Sequence, residues 1–231
     1  MHASASHSPV MSPRPPAVAT PDALDLLEQF GTTVRLQRDG EIHAEGDDAQ
    51  ACYRVISGCA RSVTLLEDGR RQVGEFFLPG EWIGLHDLDT YDYAAEAVTD
   101  VVLRRYPRRM VEALAESNGP LSRRLRELAL RSLRIAHARM VMLARKTATE
   151  RIASFLLEMD RRTGNTGNSK LELPMNRADM ADHLGLTVET ICRVLAHLKR
   201  DGLLRIMRTG VELRDRDGLR DLARGASPVL L

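Results

Sequence analysis

The run Leu173–Leu204, LPMNRADMADHLGLTVETICRVLAHLKRDGLL, leaves the backbone few choices. Asn176 stands where an N-cap opens a helix over RADMADHL. Gly185 breaks the pattern at the position where a left-handed backbone ends a helix without strain. Thr187 caps a second helix, VETICRVLAHLKR, which Gly202 ends. Met180, Ala181, Leu184, Leu186, Ile191, Val194, Leu195 and Leu198 fall on the inner faces, so the two helices bury them by crossing. Two short helices joined by a tight turn containing glycine make a helix-turn-helix. LLRI, the basic turn Arg208-Thr209-Gly210 and VEL then read as a two-stranded wing. Upstream, TATERIASFLLEMDRR is an amphipathic helix whose Thr147 and Glu150 have capping-box spacing. Together these predict a winged helix-turn-helix over residues 147–225, followed by a tail at 226–231.

The outer face of the second helix carries a chemistry suited to double-stranded DNA. Val188, Glu189, Cys192 and Arg193 lie toward its N-terminal end, the end that meets base edges when such a helix enters the major groove. Arg193 offers a two-pronged donor that matches guanine O6 and N7. Glu189 can accept from the exocyclic amines of cytosine or adenine, and Val188 can touch a thymine methyl. Arg177, Thr187 and Thr190 suit phosphate contacts, which set register without reading sequence. Charge is distributed accordingly: residues 145–231 hold 16 Lys and Arg against 12 Asp and Glu, and residues 1–144 hold 17 against 20. A neutral whole thus conceals a basic C-terminal part.

Residues 33–106 have a different texture. Short β-prone runs (TVRL, EIHA, CYRVIS, CARSVTLL, RQVGEFF, VVLRRY) alternate with the turn pairs Asp39-Gly40, Gly46-Asp47, Ser57-Gly58, Asp68-Gly69 and Pro79-Gly80. That spacing predicts an all-β sandwich or barrel. The first 20 residues, rich in Pro, Ser and Ala, read as a disordered arm. A helix follows over Pro21–Phe30 with Thr20 as its cap. Pro107 opens another helix to Glu116. A long helix then extends to Arg145, with Leu121, Leu125, Leu128, Ser132, Ile135, Arg139 and Met142 in heptad spacing. Arg123, Arg124, Arg126, Arg131 and Arg134 leave this stripe narrow, as a two-helix seam requires; the other use of such a helix is to pack on its own β-domain. The reading is an α+β chain: arm 1–20, β-domain 21–116, dimerisation helix 117–146, winged helix-turn-helix 147–225.

Other classes find little support. In 231 residues no apolar run approaches the roughly 18 residues of a membrane helix. The N-terminal stretch has no secretory apolar core. Cys52, Cys59 and Cys192 form neither a disulfide framework nor a metal motif, which fits the cytoplasm. No phosphate loop, HExxH, GxSxG or paired carboxylates on one helix face indicate an enzyme, so no catalytic or metal residues are expected.

A β-roll, a long dimer helix and a C-terminal winged helix-turn-helix resemble the CRP/FNR superfamily of bacterial transcription regulators. The resemblance covers residues 20–224 and rests chiefly on Leu173–Leu204 and on DGRRQVGEFFLPGEWIGL, Asp68–Leu85. Both stretches are most similar to the FixK-type branch. The resemblance implies a homodimeric activator on inverted TTG…CAA sites of microaerobic, respiratory or nitrogen-fixation genes. It also implies contact with RNA polymerase through β-roll loops, for which the acidic stretch His86–Asp92 is the candidate.

The family's Glu-x-x-Ser-Arg recognition motif here reads Glu189-Thr190-Ile191-Cys192-Arg193, with Cys192 in place of Ser. Cyclic-AMP binders carry an Arg-Ser pair where this chain has Tyr93-Ala94-Ala95-Glu96. Oxygen-sensing relatives carry an N-terminal cysteine cluster that this chain lacks. Neither cofactor is therefore expected. The competing expectation is a sensor holding haem or another small molecule through His43, His86 or Cys59. Cys192, near a positive helix end and close to arginines, is a candidate redox switch for DNA binding, the other reading being a small side chain that fills the space of the relatives' Ser.

Overall fold

The computed structural model describes residues 22–87, 89–164 and 169–225. The proposed arm at 1–20, Thr20, Pro21 and the tail at 226–231 lie outside the described residues. The chain is α+β, with an N-terminal β-roll, two central helices and a C-terminal winged helix-turn-helix. The first helix is a 3-10 segment over Ala23–Phe30. Its cap is Asp22, whose carboxylate accepts from Leu24 N at 3.2 Å, and not the expected Thr20.

Two four-stranded antiparallel sheets face each other in the β-roll. One has the order β1 (Thr32–Leu36), β8 (Val101–Pro107), β3 (Ala51–Ser57), β6 (Trp82–Ile83). The other has β2 (Glu41–His43), β7 (Ala94–Ala97), β4 (Ala60–Leu65), β5 (Arg71–Phe77). Val55, Ala60, Phe77, Ile83, Ala95, Val101 and Leu103 fill the space between them. The expected Ser57-Gly58 turn is sterically required. Gly58 has φ 83°, and a Cβ there would sit 2.2 Å from the Asp100 carbonyl oxygen. Two strands escape the sequence pattern: β6 is too short to show a period, and β7 is Ala-rich with low β-propensity.

Pro107 ends β8 and stands at the N-cap of helix α1 (Arg108–Ser117), so the helix starts one position later than expected. Helix α2 (Gly119–Arg145) is capped by Asn118, which accepts from Leu121 N at 2.9 Å. The heptad stripe on α2 turns inward. Leu121 is wholly buried with Leu24, Leu27, Cys52, Tyr106 and Val111, and Leu125 and Leu128 pack on the same cluster. Ile135 faces Phe77 and Trp82 across a small cavity, and Met142 packs on the winged-helix core. Of the expected seam, Leu121 is thus sealed within its own chain, while Leu125, Leu128, Ile135 and Met142 pack on that chain and stay partly exposed. A second stripe on α2 stays open: Leu133 and Met140 are 66% and 62% exposed, with Ala129 and Ala136 exposed between them.

After an extended joint at Lys146 come α3 (Ala148–Arg162), β9 (Lys170–Glu172), α4 (Arg177–Leu184), α5 (Val188–Arg200), β10 (Leu204–Met207), β11 (Gly210–Leu213) and α6 (Arg216–Ala223). The wing is three-stranded in the order β10-β11-β9. Neither β9 nor α6 was expected from the sequence.

The winged helix is joined to the β-roll by one continuous core. Val73, Phe76, Leu78 and Val98 share a cluster with Ile152, Phe155, Leu156 and Met180. Polar bonds fix the register of this contact. Asp179, fully buried, accepts from Arg61 at 2.9 Å and from Arg71 at 2.8 Å, and Arg71 also reaches Asp182 at 2.7 Å. Arg162 binds Glu81 and the Phe76 carbonyl. His183 sits between Phe76 and Phe155 and donates to the Val73 carbonyl at 3.2 Å. Among the described residues no helix is long and apolar enough to cross a membrane.

Candidate nucleic-acid interface

The two crossing helices are built from local signals. Asn176 and Asp179 form a reciprocal capping box on α4: Asp179 N donates to Asn176 Oδ1 at 2.8 Å, and Asn176 N donates to Asp179 Oδ2 at 3.4 Å. Gly185 ends α4 at φ 61°, and Thr187 caps α5 by accepting from Thr190 N at 3.2 Å. Ile191, Val194, Leu195 and Leu198 of α5 are buried against Met180, Ala181 and Leu184 of α4, with Leu186 partly buried beside them. That burial fixes which side of α5 faces outward.

The outward side carries the four residues expected to read bases. Val188, Glu189, Cys192 and Arg193 are all exposed. Arg193 donates from Nη2 to Thr190 Oγ1 at 3.5 Å, which lays the guanidinium along the helix. The Glu189 carboxylate makes no hydrogen bond or ion pair among the described residues, so its acceptors face solvent. Thr187 and Thr190 share a hydroxyl contact at 2.9 Å at the start of α5. Arg177 differs from the expected free phosphate contact. It is half-buried, with Nη1 3.2 Å from Met180 Sδ. Burial pulls its guanidinium below the ordinary value, and Cys192 lies near it on this face. The wing adds Arg208 in the turn between β10 and β11, while Arg205 is held by Glu212 at 2.6 Å.

The candidate ligands in the β-roll do not converge. His43 is stacked on Tyr91 with ring centroids 3.6 Å apart, and burial pushes its pKa down to about 4. His86 is exposed and bonds Ser132 of α2, and Cys59 lies in the core shared with the winged helix. Among the described residues no group of three or more His, Cys, Asp or Glu is placed to hold a metal. Between the Gly80–Leu85 segment and Leu128, Ser132 and Ile135 of α2 the free space is about 70 Å³. Tyr93 stands where the resemblance sets an arginine; its hydroxyl accepts from Gly84 N at 3.2 Å. Glu96 is bound by Arg61 at 2.6 Å. In the acidic stretch His86–Asp92, Asp87 and Tyr91 are buried, which leaves Asp89 and Asp92 as its exposed carboxylates, and Leu88 is outside the described residues.

The sequence signals missed the ion network that holds α4 to β5. Its partners, Arg61, Arg71 and Asp179, stand 118 and 108 residues apart, and no local pattern links them.

Comparison with known proteins gives a consistent picture. The Crp-like helix-turn-helix domain matches residues 150–222, and the cyclic nucleotide-binding domain matches residues 33–118. The nitrogen fixation regulation protein FixK of Azorhizobium caulinodans is 40% identical over 201 residues, which cover 85% of this chain and 81% of that protein. The protein of the same name from Rhizobium meliloti is 41% identical over 184 residues, 79% of this chain and 82% of that one. The solved structure of FixK2 from Bradyrhizobium japonicum superposes with a TM-score of 0.78 at 40% identity, covering 83% of this chain and 96% of that one.

Proposed function

The chain belongs to the CRP/FNR superfamily and is a DNA-binding transcription regulator related to FixK-type proteins, not an enzyme; from that premise we propose that it acts as a homodimeric activator that needs no cyclic-nucleotide or iron–sulfur co-effector. It reads an inverted TTG…CAA-type site through α5, and its targets are microaerobic, respiratory or nitrogen-fixation genes.

The carrying observation is the outward face of α5. An inner face buried to the last residue holds Glu189 and Arg193 exposed beside Val188 and Cys192, with Thr187, Thr190 and Arg177 flanking them toward the phosphates. Independence from a co-effector is supported by Tyr93, which brings no positive charge where the resemblance sets an arginine. The homodimer forms through the open stripe Ala129, Leu133, Ala136 and Met140, whose four- and three-residue spacings suit a two-helix seam. Asp89 and Asp92 are the exposed carboxylates offered to RNA polymerase.

Selection of bound DNA from random sequence, with no effector added, tests site, symmetry and co-effector independence together. The expected product is an inverted repeat with TTG and CAA arms. In transcription with purified polymerase alone, a promoter bearing that site is activated. A strict need for cyclic AMP, or an activity lost in air and restored by iron, overturns the co-effector-free reading.

A further inference from the structure

At the joint between α2 and α3 lies a cleft of about 380 Å³ whose lining includes Arg131, Arg134, Arg139, Lys146 and Arg161. Among the described residues none of these five forms an ion pair. Lys146 Nζ donates to neutral partners, Ser154 Oγ at 2.7 Å and the Ala223 carbonyl at 2.9 Å. The one carboxylate in the lining, Glu158, already faces Arg162 at 3.5 Å, and Arg162 in turn is held by Glu81. The cleft thus concentrates cationic charge with Glu158 as the one carboxylate in its lining. Like charges gathered in a concave, partly apolar site raise the local potential and draw in an anion. Burial depresses the Arg139 guanidinium, with Glu75 and Glu158 only partly opposing it, so an added anion beside it relieves a real penalty.

The rest of the lining says what kind of anion. Ile135, Ala138 and Met142 form an apolar wall beside the cationic one. The volume lies within the roughly 300–1,000 Å³ of small-molecule sites, about a nucleotide's size. The open stripe of Leu133 and Met140 occupies a different side of α2 from Arg131 and Ala138, because successive helical residues turn by about 100°. A second copy docked on that stripe leaves the cleft open.

We propose that this cleft binds a small polyphosphorylated ligand of the nucleoside polyphosphate class, with the cationic side chains on the phosphates and Ile135, Ala138 and Met142 against the base. Its position gives binding a mechanical consequence. Lys146 and Thr147 are the two extended residues between α2 and α3, and a ligand spanning Arg131, Arg134 and Arg161 ties the two helices together across them. The posture of the winged helix, and with it operator affinity, becomes sensitive to the ligand.

Calorimetric titration of the full chain without DNA, at low ionic strength, uses ATP, pyrophosphate and AMP as probes. ATP and pyrophosphate bind saturably and AMP more weakly. Binding of ATP falls about tenfold or more in Arg134→Ala/Arg161→Ala, since two charge-assisted contacts are lost, with circular dichroism unchanged. Arg124→Ala, elsewhere on α2, binds as the wild type does. A second arm, which rests on the proposed DNA function, titrates operator DNA with and without ATP: the wild type changes affinity and the double variant does not. The proposal is overturned if none of the three probes binds saturably, if the double variant binds ATP normally, or if Arg193→Ala abolishes ATP binding, which would put the anion on the DNA-reading face. It is equally overturned if the double variant weakens operator binding in the absence of nucleotide, which would make the cleft a contact for the DNA backbone.

Discussion

Arg193 and Arg177 are the same residue type on one face, yet the structure gives them different freedom. Arg193 is exposed, with one long bond to Thr190, and Arg177 is half-buried against Met180. Arg193→Ala should cost about 1–3 kcal/mol per half-site and relax preference at one G·C position. Arg177→Ala should weaken binding evenly across sequences and flatten the salt slope by about one unit. Fluorescence titrations on matched and single-substitution operators check both, and identical effects of the two variants on all sites contradict these roles. Cys192 supplies a second expectation. It is exposed, whereas burial pushes the Cys52 thiol up to about 11 and the Cys59 thiol up to about 12, so peroxide should act at Cys192 first. Its conversion to sulfinic acid adds negative charge and bulk against DNA. Peroxide should therefore abolish operator binding in the wild type and spare Cys192→Ser; equal loss in both removes Cys192 as the switch. The caps at Asn176, Thr187 and Thr147 were legible because each bonds only three residues along the chain. Asp179 looked like an ordinary first-turn acid, because its arginine partners come from strands more than 100 residues upstream.

Helix α2 shows how one period can serve more than one neighbour. Its heptad stripe was visible in the sequence, but a period marks a buried face without saying what buries it. Leu121 is sealed inside its own protomer, and the adjacent stripe with Leu133 and Met140 stays exposed. The two stripes now separate two substitutions. Leu128→Glu should destabilise the folded protomer by about 2–3 kcal/mol, seen as a lower thermal midpoint. Leu133→Glu should leave that midpoint nearly unchanged in the dissociated protein while shifting it to monomer in sedimentation and weakening operator binding. If Leu133→Glu remains a dimer, the seam lies elsewhere. Strands were legible where β-branched and aromatic residues filled them, as in β5, RQVGEFF. They were not legible in β7, AAEA, which is a strand because β2 and β4 pair with it on both sides.

Across the whole molecule, the buried histidines link the domain contact to acidity. Burial, reinforced by the Arg139 charge, pushes His183 down to about 3, and burial pushes His43 down to about 4, from an ordinary 6.5. Below pH 6.5 the unfolded chain takes up protons that the folded chain refuses. Stability therefore falls as pH drops from 6.5 toward 4, by up to about 1.4 kcal/mol per pH unit for each histidine. Thermal midpoints at pH 6.5 and 4.5 check the direction. A fall that is unchanged in His183→Phe would remove that residue from the account. The same contact bears on how freely such a regulator can be recombined. The Asp179 carboxylate serves two structures at once: one oxygen closes the cap of α4, the other accepts the two β-roll arginines. Domain-shuffling treats the winged helix as a cassette, but here its first DNA-side helix is half-written in the β-roll. A graft of residues 147–225 onto a foreign roll strands a buried anion unless counterparts of Arg61 and Arg71 travel with it. Inheritance of the two halves is thereby coupled, and a lineage that exchanges one must exchange or repair the other.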